Sequence, residues 1–196
     1  MKKRSEAVAD TRLRIVQAAM QLHGEKGILA TSWKDIAQEA DVALGTVYKH
    51  FPTLAELVPA CGELLMQRIR PPSAEDADHL IGDATLVSDR LRRVATALFA
   101  FYERGGRHLE SDLRERELPA IREWEDYLRG VVAHLVGTAL RPAAPTVVQA
   151  RIVSALFDFP SFKAMNERGL DASEAADALV AMVVCWLEQA KESPGS

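Results

Sequence analysis

Apolar residues recur at helical spacing over almost the whole chain, and this periodicity limits the possible fold more than any other feature. Ile15, Ala18, Ala19 and Leu22 follow the i, i+3, i+4, i+7 pattern of one helical face. No segment alternates apolar and polar residues between turn signals, as a half-buried strand would. The sequence therefore predicts an all-α protein.

Turn and capping residues divide this pattern into separate helices. Pro59 and Pro160 lie inside two of the predicted helices, where a proline should kink or break the helix. The predicted helices span residues 10–23, 33–39, 43–50, 54–70, 85–104, 107–115, 118–140, 146–167 and 173–191.

A polar connector separates two parts of the chain. Pro71, Pro72 and Ser73 precede the acidic and polar stretch 75–79, a composition typical of a link between domains. We therefore predict a first domain at residues 10–70 and a second helical domain at residues 71–196.

Charge is distributed unevenly between these parts. The net charge of −4 argues against affinity of the whole protein for nucleic acid, but residues 1–52 carry a net charge of +2. No run of eighteen apolar residues predicts a membrane span, and the N-terminus lacks the apolar stretch of a signal peptide. We expect a cytoplasmic protein whose two cysteines are free thiols.

Catalytic and metal-binding patterns are missing from the sequence. The five histidines show no metal-ligand spacing with cysteines or carboxylates. Neither a glycine-rich phosphate loop nor a Gly-x-Ser-x-Gly motif occurs. We therefore expect no metal, no cofactor and no enzymatic activity.

Two short predicted helices, joined by a tight turn at Asp41 and Val42, form the most informative segment. Two such helices packed on a first helix make a helix-turn-helix, whose second helix enters the DNA major groove. Val47 and Phe51 lie four residues apart and should face inward. The remaining residues of the second helix must then face outward.

The outward residues suit nucleic acid. Tyr48, Lys49 and His50 carry donors for phosphate oxygens, and Thr46 offers a methyl and a hydroxyl for a base edge. Gly45 costs about 1 kcal/mol in a helix relative to alanine. A glycine is reasonable there if another backbone must come close.

The stretch IAQEADVALGTVYKHFPTLAEL resembles the signature of the TetR family of transcriptional regulators, and the preceding AAMQLHGEKGILATS resembles that family's first helix and its connection. The resemblance covers about residues 10–60. It implies an all-helical homodimer, with an N-terminal helix-turn-helix domain and a C-terminal ligand-binding and dimerisation domain. It also implies a repressor that binds a palindromic double-stranded DNA operator and is released by a small-molecule effector.

On this resemblance the helix-turn-helix motif runs from Trp33 to Pro52. The expected phosphate contacts are Thr31, Ser32, Tyr48, Lys49 and His50. The expected base-edge contacts are Leu44, Gly45 and Thr46. A regulator that activates, or a helical scaffold with weakened DNA contacts, remains the alternative.

Two positions depart from the family pattern. Ala43 stands where a serine commonly caps the recognition helix, and losing a cap oxygen costs about 1 kcal/mol. Leu54 stands where a lysine commonly touches phosphate. Backbone N–H groups at the start of the fourth helix could still hold a phosphate. We expect a weaker grip on phosphates than is typical of the family.

The second domain offers candidates for a ligand site and a dimer interface. Aromatic residues near carboxylates could hold a flat cationic ligand, although such aromatics more often fill a core while the acids face water. The ligand candidates are Phe99, Tyr102, Trp124 and Tyr127. By the resemblance, the last two helices pair with those of a second copy through Ile152, Leu156, Leu179, Met182, Val183 and Trp186; a packed intrachain core is the alternative.

Overall fold

The computed structural model describes residues 2–192 and the side chains of residues 5–190. Within these residues it contains helices and no strand, so the predicted all-α fold class is confirmed. The α-helices are α1 (Lys2–Lys26), α2 (Trp33–Glu39), α3 (Leu44–His50), α4 (Leu54–Ile69), α5 (Ala77–Ile81), α6 (Val87–Gly105), α7 (Pro119–Leu140), α8 (Val147–Leu156), α9 (Phe159–Asn166) and α10 (Ala172–Glu192).

The helices form two compact units. The first unit contains the chain up to Arg70 together with Gly105–Glu125, and the second contains Pro71–Arg104 together with the chain from Asp126 onward. The connector after Arg70 thus separates the units along the chain. A later segment nevertheless returns to the first unit, which the contiguous division into residues 10–70 and 71–196 did not include.

The first unit is built around the apolar faces of α1 to α4. Ile15, Ile36, Val47, Phe51 and Leu57 are all at most 1% exposed and belong to one hydrophobic cluster. This cluster fixes the three N-terminal helices and α4 against each other, since apolar burial is the dominant favourable term in such packing.

The second unit has an aromatic core. Its rings pack at centroid separations between 5.1 and 6.3 Å, within the range of favourable aromatic pairs. The cluster consists of Phe99, Phe101, Tyr102, Phe157 and Phe162. Elsewhere in this unit, the guanidinium of Arg90 donates to the carbonyls of Thr138 and Ala139, near the end of α7.

The predicted helix at residues 107–115 is wrong. A 3-10 turn at Gly106–Leu109 is followed by irregular chain and a second 3-10 turn at Glu115–Glu117. Asp112 Oδ1 accepts the N–H groups of Arg114 and Glu115, each at 2.8 Å. A short polar side chain that binds nearby backbone in this way competes with the helical hydrogen bonds.

Three further features differ from the predicted helices. The single helix expected at residues 146–167 is broken into α8 and α9, which confirms the predicted effect of Pro160. Pro160 lies in the first turn of α9, where its missing N–H costs nothing. α5 begins within the stretch interpreted as a connector, and α1 begins eight residues earlier than predicted.

Candidate nucleic-acid interface

A capping box fixes the start of α2. The N–H of Asp35 donates to Ser32 Oγ at 3.1 Å, and the N–H of Ser32 donates to Asp35 Oδ2 at 3.1 Å. Lys26 Nζ lies 2.6 Å from the same carboxylate oxygen. Hydrogen bonds from Lys26 and then from Ser32 lower the pKa of Asp35 to about 2. The end of α1 is thus tied to the beginning of the helix-turn-helix.

The turn between α2 and α3 sets the direction of α3. Asp41 has a φ of +51°, a left-handed conformation that aspartate tolerates better than most residues. The N–H of Val42 donates to the carbonyl of Ala37 at 3.0 Å. Arg14 Nη1, from α1, donates to the carbonyl of Ala40 at 3.0 Å. These contacts hold the end of α2 on the first helix.

α3 has one buried side and one open side. Val47 is fully buried and Phe51 is 1% exposed, which confirms the prediction that both face inward. Leu44 and Tyr48 are 42% and 44% exposed, and Lys49 is also exposed. The outward side therefore presents an apolar side chain, a phenol and an ammonium group together.

Gly45 lies on the open side of α3. A Cβ atom added there would meet no protein atom within 4 Å, and its φ is not positive. Neither packing nor backbone conformation within the protein therefore requires a glycine at this position. Glycine weakens a helix by about 1 kcal/mol relative to alanine, and Gly45 leaves open space next to the exposed Leu44 and Tyr48.

Two aromatic contacts support α3 and the residue after it from neighbouring elements. The rings of Trp33 and Tyr48 lie 5.4 Å apart, which limits the positions open to the phenol. The guanidinium of Arg12 lies 4.5 Å from the centre of the Phe51 ring. The roles of Arg12 and Arg14 were not predicted, because a single sequence carries no signal for contacts between residues 26 or more positions apart.

Thr31 is held by hydrogen bonds within its own turn. It is 9% exposed, its hydroxyl donates to the carbonyl of Gly27 at 2.7 Å, and its N–H donates to the carbonyl of Ile28 at 3.2 Å. Both of its protons are therefore used inside the protein, which leaves Thr31 no donor for a phosphate. The other predicted contacts, Ser32, Thr46 and His50 among them, retain exposed or half-buried positions.

The two departures from the family pattern have simple structural counterparts. Ala43 starts α3 without a side-chain cap hydrogen bond, and Leu54 is half-buried against the core of the first unit. Thr53 precedes α4, and its hydroxyl donates to Glu56 Oε1 at 3.2 Å instead of capping a backbone group.

The predicted ligand residues occupy different environments. Phe99 and Tyr102 lie in the aromatic core of the second unit, where the Tyr102 hydroxyl donates to the carbonyl of Phe157 at 3.0 Å. Burial raises the pKa of Tyr102. Tyr127 is 52% exposed, whereas Trp124 belongs to the first unit. A separate open groove of the second unit is lined by Thr96, Ala100, Glu103, Asp171, Ala172 and Ser173.

The predicted dimer residues divide into buried and exposed groups. Leu179 and Val183 are 1% and 2% exposed, so their own chain already covers them. Ile152 and Met182 are 43% and 60% exposed, and Leu156 and Trp186 are half-buried. The exposed members lie on α8 and α10, helices that contact each other. We call Ile152 and Met182 with their exposed neighbours Val148, Ala155, Ala178 and Cys185 the α8/α10 stripe.

Within residues 2–192, none of the helices is both long enough and apolar enough to pass through a bilayer.

The N-terminal part of the chain is similar to known bacterial regulatory proteins. Residues 15–61 match the model of the bacterial regulatory proteins of the tetR family. Over 54 residues the chain is 39% identical to the HTH-type transcriptional repressor KstR of Mycobacterium tuberculosis, a match that covers 28% of this chain and 24% of KstR. Over 60 residues it is 37% identical to the HTH-type transcriptional regulator TtgR of Pseudomonas putida, covering 31% of this chain and 29% of TtgR. The chain thus spans less than a third of the length of these curated relatives.

Solved structures resemble the chain over most of its length. NalD, the secondary repressor of the MexAB-OprM multidrug efflux pump in Pseudomonas aeruginosa, is 21% identical, covers 91% of this chain and 96% of its own, and has a TM-score of 0.62. FadR from Bacillus subtilis, in complex with stearoyl-CoA, is 18% identical, covers 88% of this chain and 97% of its own, and has a TM-score of 0.60. The similarity extends through the second helical part and supports a common fold.

Proposed function

We propose that this chain is a DNA-binding transcriptional repressor of the TetR family, since its residues 15–61 match the model of the bacterial regulatory proteins of that family. The observation that carries the proposal is the open side of α3. Gly45 leaves free space there, beside the exposed Tyr48 and Lys49, while Val47 and Phe51 anchor the opposite side in the core. A helix with this division can enter a major groove without losing its own packing.

The proposed contacts follow from the positions of these side chains. Leu44, Gly45 and Thr46, in the first turn of α3, face the base edges, where a methyl or hydroxyl can distinguish base pairs. Ser32, Tyr48, Lys49 and His50 bind phosphates and so fix the register of the protein on the duplex. We omit Thr31 from this set because its protons are already used.

A homodimer completes the proposed binding unit. The α8/α10 stripe exposes Ile152 and Met182, and a second copy would cover such apolar groups. Two recognition helices related by a twofold axis would read half-sites of a palindromic operator about 34 Å apart.

A small molecule is the proposed signal for release. The solved FadR structure contains stearoyl-CoA, and NalD is a repressor of a multidrug efflux pump, which makes an effector site in the second unit reasonable here. Phe99, Tyr102 and Tyr127 belong to the second unit and remain our candidates for that site, whereas Trp124 belongs to the first unit. The effector can shift the protein only by its preference for the state that binds DNA poorly. Pro59, inside α4, remains a candidate lever for that shift.

The proposal is tested by selecting duplexes from a random DNA library with the wild-type protein. We expect one palindromic sequence to be enriched, with an affinity that falls steeply as salt rises. Replacing Lys49 with alanine removes one ionic contact with a phosphate, so the salt slope of fluorescence-anisotropy binding curves should fall by about one per bound subunit. The control is Lys163→Ala, which removes the same charge from α9.

A different result would favour the scaffold alternative. That alternative has some support from Ala43, which provides no cap for α3, and from Leu54, which cannot bind phosphate. If the folded protein enriched no sequence even at low salt but still associated with itself, the DNA-binding proposal would be wrong.

A further inference from the structure

Glu115 is a carboxylate buried inside the first unit, with only 5% of its surface exposed. Its Oε1 accepts the N–H groups of Ile28 at 2.5 Å and Leu29 at 3.2 Å, across 87 and 86 residues of sequence. Burying a carboxylate is costly unless it is hydrogen-bonded, and hydrogen bonds to a charged acceptor are the strong ones. These two bonds therefore attach residues 105–125 firmly to the turn between α1 and α2.

The turn is shaped to receive this carboxylate. Gly27 has a φ of +91°, a conformation that side chains rarely adopt. A Cβ atom on Gly27 would lie 2.9 Å from Glu115 Oε1. Gly27 thus allows both the left-handed turn and the close approach of the acid, so the two residues fit each other.

Hydrogen bonds continue from this turn to the helix-turn-helix. The Thr31 hydroxyl donates to the carbonyl of Gly27, and the Thr31 N–H donates to the carbonyl of Ile28. The next residue, Ser32, caps α2. The peptide groups that Glu115 holds are therefore part of the same turn that places the first residue of α2.

A second contact holds the same region. The ring of His108 lies against Gly24, where an added Cβ atom would come within 2.5 Å of His108 Nε2. That nitrogen is 3.2 Å from the carbonyl of Met20. The segment thus holds the last turns of α1 at one point and the turn after α1 at another.

We infer that Glu115 is a positioning residue for DNA binding. Seated on the amides of Ile28 and Leu29, it holds the α1–α2 turn, and through it α2 and α3, in the arrangement that fits DNA. Removing the carboxylate lowers DNA affinity although Glu115 touches no base or phosphate. The inference deepens the proposed function and rests on it.

Glu115 lies in the segment between α6 and α7. A state in which its carboxylate leaves the two amides would bind DNA more weakly, by the difference in affinity between the seated and unseated forms.

The first test compares three variants on the duplex enriched by the wild-type protein. Glu115→Ala should lower affinity about tenfold, and Glu115→Gln less, because the amide oxygen can still accept one of the bonds. The matched control is Glu117→Gln, since Glu117 lies in the same 3-10 turn with an exposed side chain. It should stay within about twofold of the wild type, as is usual for a surface substitution.

The second test needs no variant. If DNA binding and seating of Glu115 are coupled, DNA must also favour the seated state, because coupling is reciprocal. Hydrogen exchange followed by NMR should show the Ile28 and Leu29 amides exchanging several-fold more slowly in the wild-type protein on the enriched duplex than free. This measurement shows whether DNA binding is coupled to the seating of Glu115 even if Glu115→Ala does not fold.

Two results would overturn the inference while leaving the proposed function intact. One is an unchanged affinity in Glu115→Ala although its Ile28 and Leu29 amides exchange faster, which would make the role of the carboxylate purely structural. The other is unchanged exchange of these amides when wild-type protein binds DNA. If the wild type selects no duplex at all, the proposed function fails first and the positioning role fails with it.

Discussion

The two units of this protein are both helical, yet they differ in which groups they bury and which they expose. The first buries polar groups, Thr31 and Glu115, and leaves a glycine and polar side chains on the outside of α3. The second buries a cluster of aromatic rings and exposes apolar residues such as Met182 on the α8/α10 stripe. The same architecture thus serves, on our proposal, a polar polyanion in one unit and a second copy of the chain in the other.

The largest effect should come from a charge placed on the α8/α10 stripe. Met182→Glu would bury two carboxylates related by the twofold axis, and burying unpaired charges is costly. We expect the dimer dissociation constant to rise at least about 100-fold, or about 3 kcal/mol. Sedimentation equilibrium measures this constant directly.

The control for that change is Leu113→Glu. Leu113 is 84% exposed in the first unit, so the same substitution adds charge to an open apolar residue away from the stripe. Equal dimer constants for the two variants would break the comparison, because the stripe would then have no special role.

The next effect concerns the polar interior of the first unit. Burial, with a smaller contribution from nearby His108, lowers the pKa of His23 from 6.5 to about 4. Its Nε2 is buried and has no hydrogen-bond partner among the described residues. As the pH falls, His23 is therefore protonated in the unfolded chain before it is protonated in the folded chain. Its contribution to the free energy of unfolding is lost as pH falls from about 6.5 to 4, by about 3 kcal/mol.

Denaturant unfolding at several pH values measures this loss. His23→Leu should remove this contribution, because leucine does not titrate, so the difference in stability between variant and wild type should change as pH falls from 6.5 to 4. A variant with the same pH dependence as the wild type would show that other groups of the first unit cause it.

Asp158 sharpens the comparison between the units, because its pKa shift makes stability change with pH in the opposite direction to that of His23. Burial raises the pKa of this second-unit carboxyl to about 6, against the opposing charge of Arg129. Its contribution to stability is present below about pH 3.8 and is lost as pH rises through 6. Asp158→Asn should therefore gain more stability, relative to wild type, at about pH 7 than at about pH 4. The same gain at both values would contradict this assignment.

The smallest effect separates the folding and binding roles of a glycine. Gly45→Ala and Gly62→Ala should each stabilise the protein by up to about 1 kcal/mol, because both glycines lie in helices with no atom near the added Cβ. Only Gly45→Ala should weaken DNA binding, by several-fold, since its methyl would occupy the space in which, on our proposal, the duplex lies. Thermal unfolding and anisotropy titrations, run in parallel on both variants, test this pair. Equal DNA affinities of the two variants would show that Gly45 does not lie at the DNA interface.

Local patterns made much of the first unit predictable. The spacing of Val47 and Phe51 identified the inward side of α3, because helical periodicity depends only on neighbouring residues. The break at Pro160 was predictable for a similar reason, since proline acts on its own helix. The helix wrongly predicted at residues 107–115 had acceptable spacing of its residues. The prediction did not account for the side chain of Asp112, which binds backbone N–H groups in place of the helical hydrogen bonds.

Contacts between distant parts of the chain were not predictable. Glu115 lies among charged residues, which normally face solvent, and nothing near it in the sequence indicates that its partners are the amides of Ile28 and Leu29. Periodicity also failed on α10, whose apolar residues cover more than one side. It could not separate Val183, buried by its own chain, from Met182, which is exposed.

The discontinuous first unit has a consequence for recombination between related genes. A single crossover after Arg70 would join the first part of the chain to a foreign second half and remove both Glu115 and His108. The amides of Ile28 and Leu29 would then lack their acceptor, a defect that costs about 1–3 kcal/mol for a buried group. A hybrid that keeps this contact must therefore inherit residues 105–125 from the same parent as α1 to α4, so the first unit is inherited as two separate pieces of the gene.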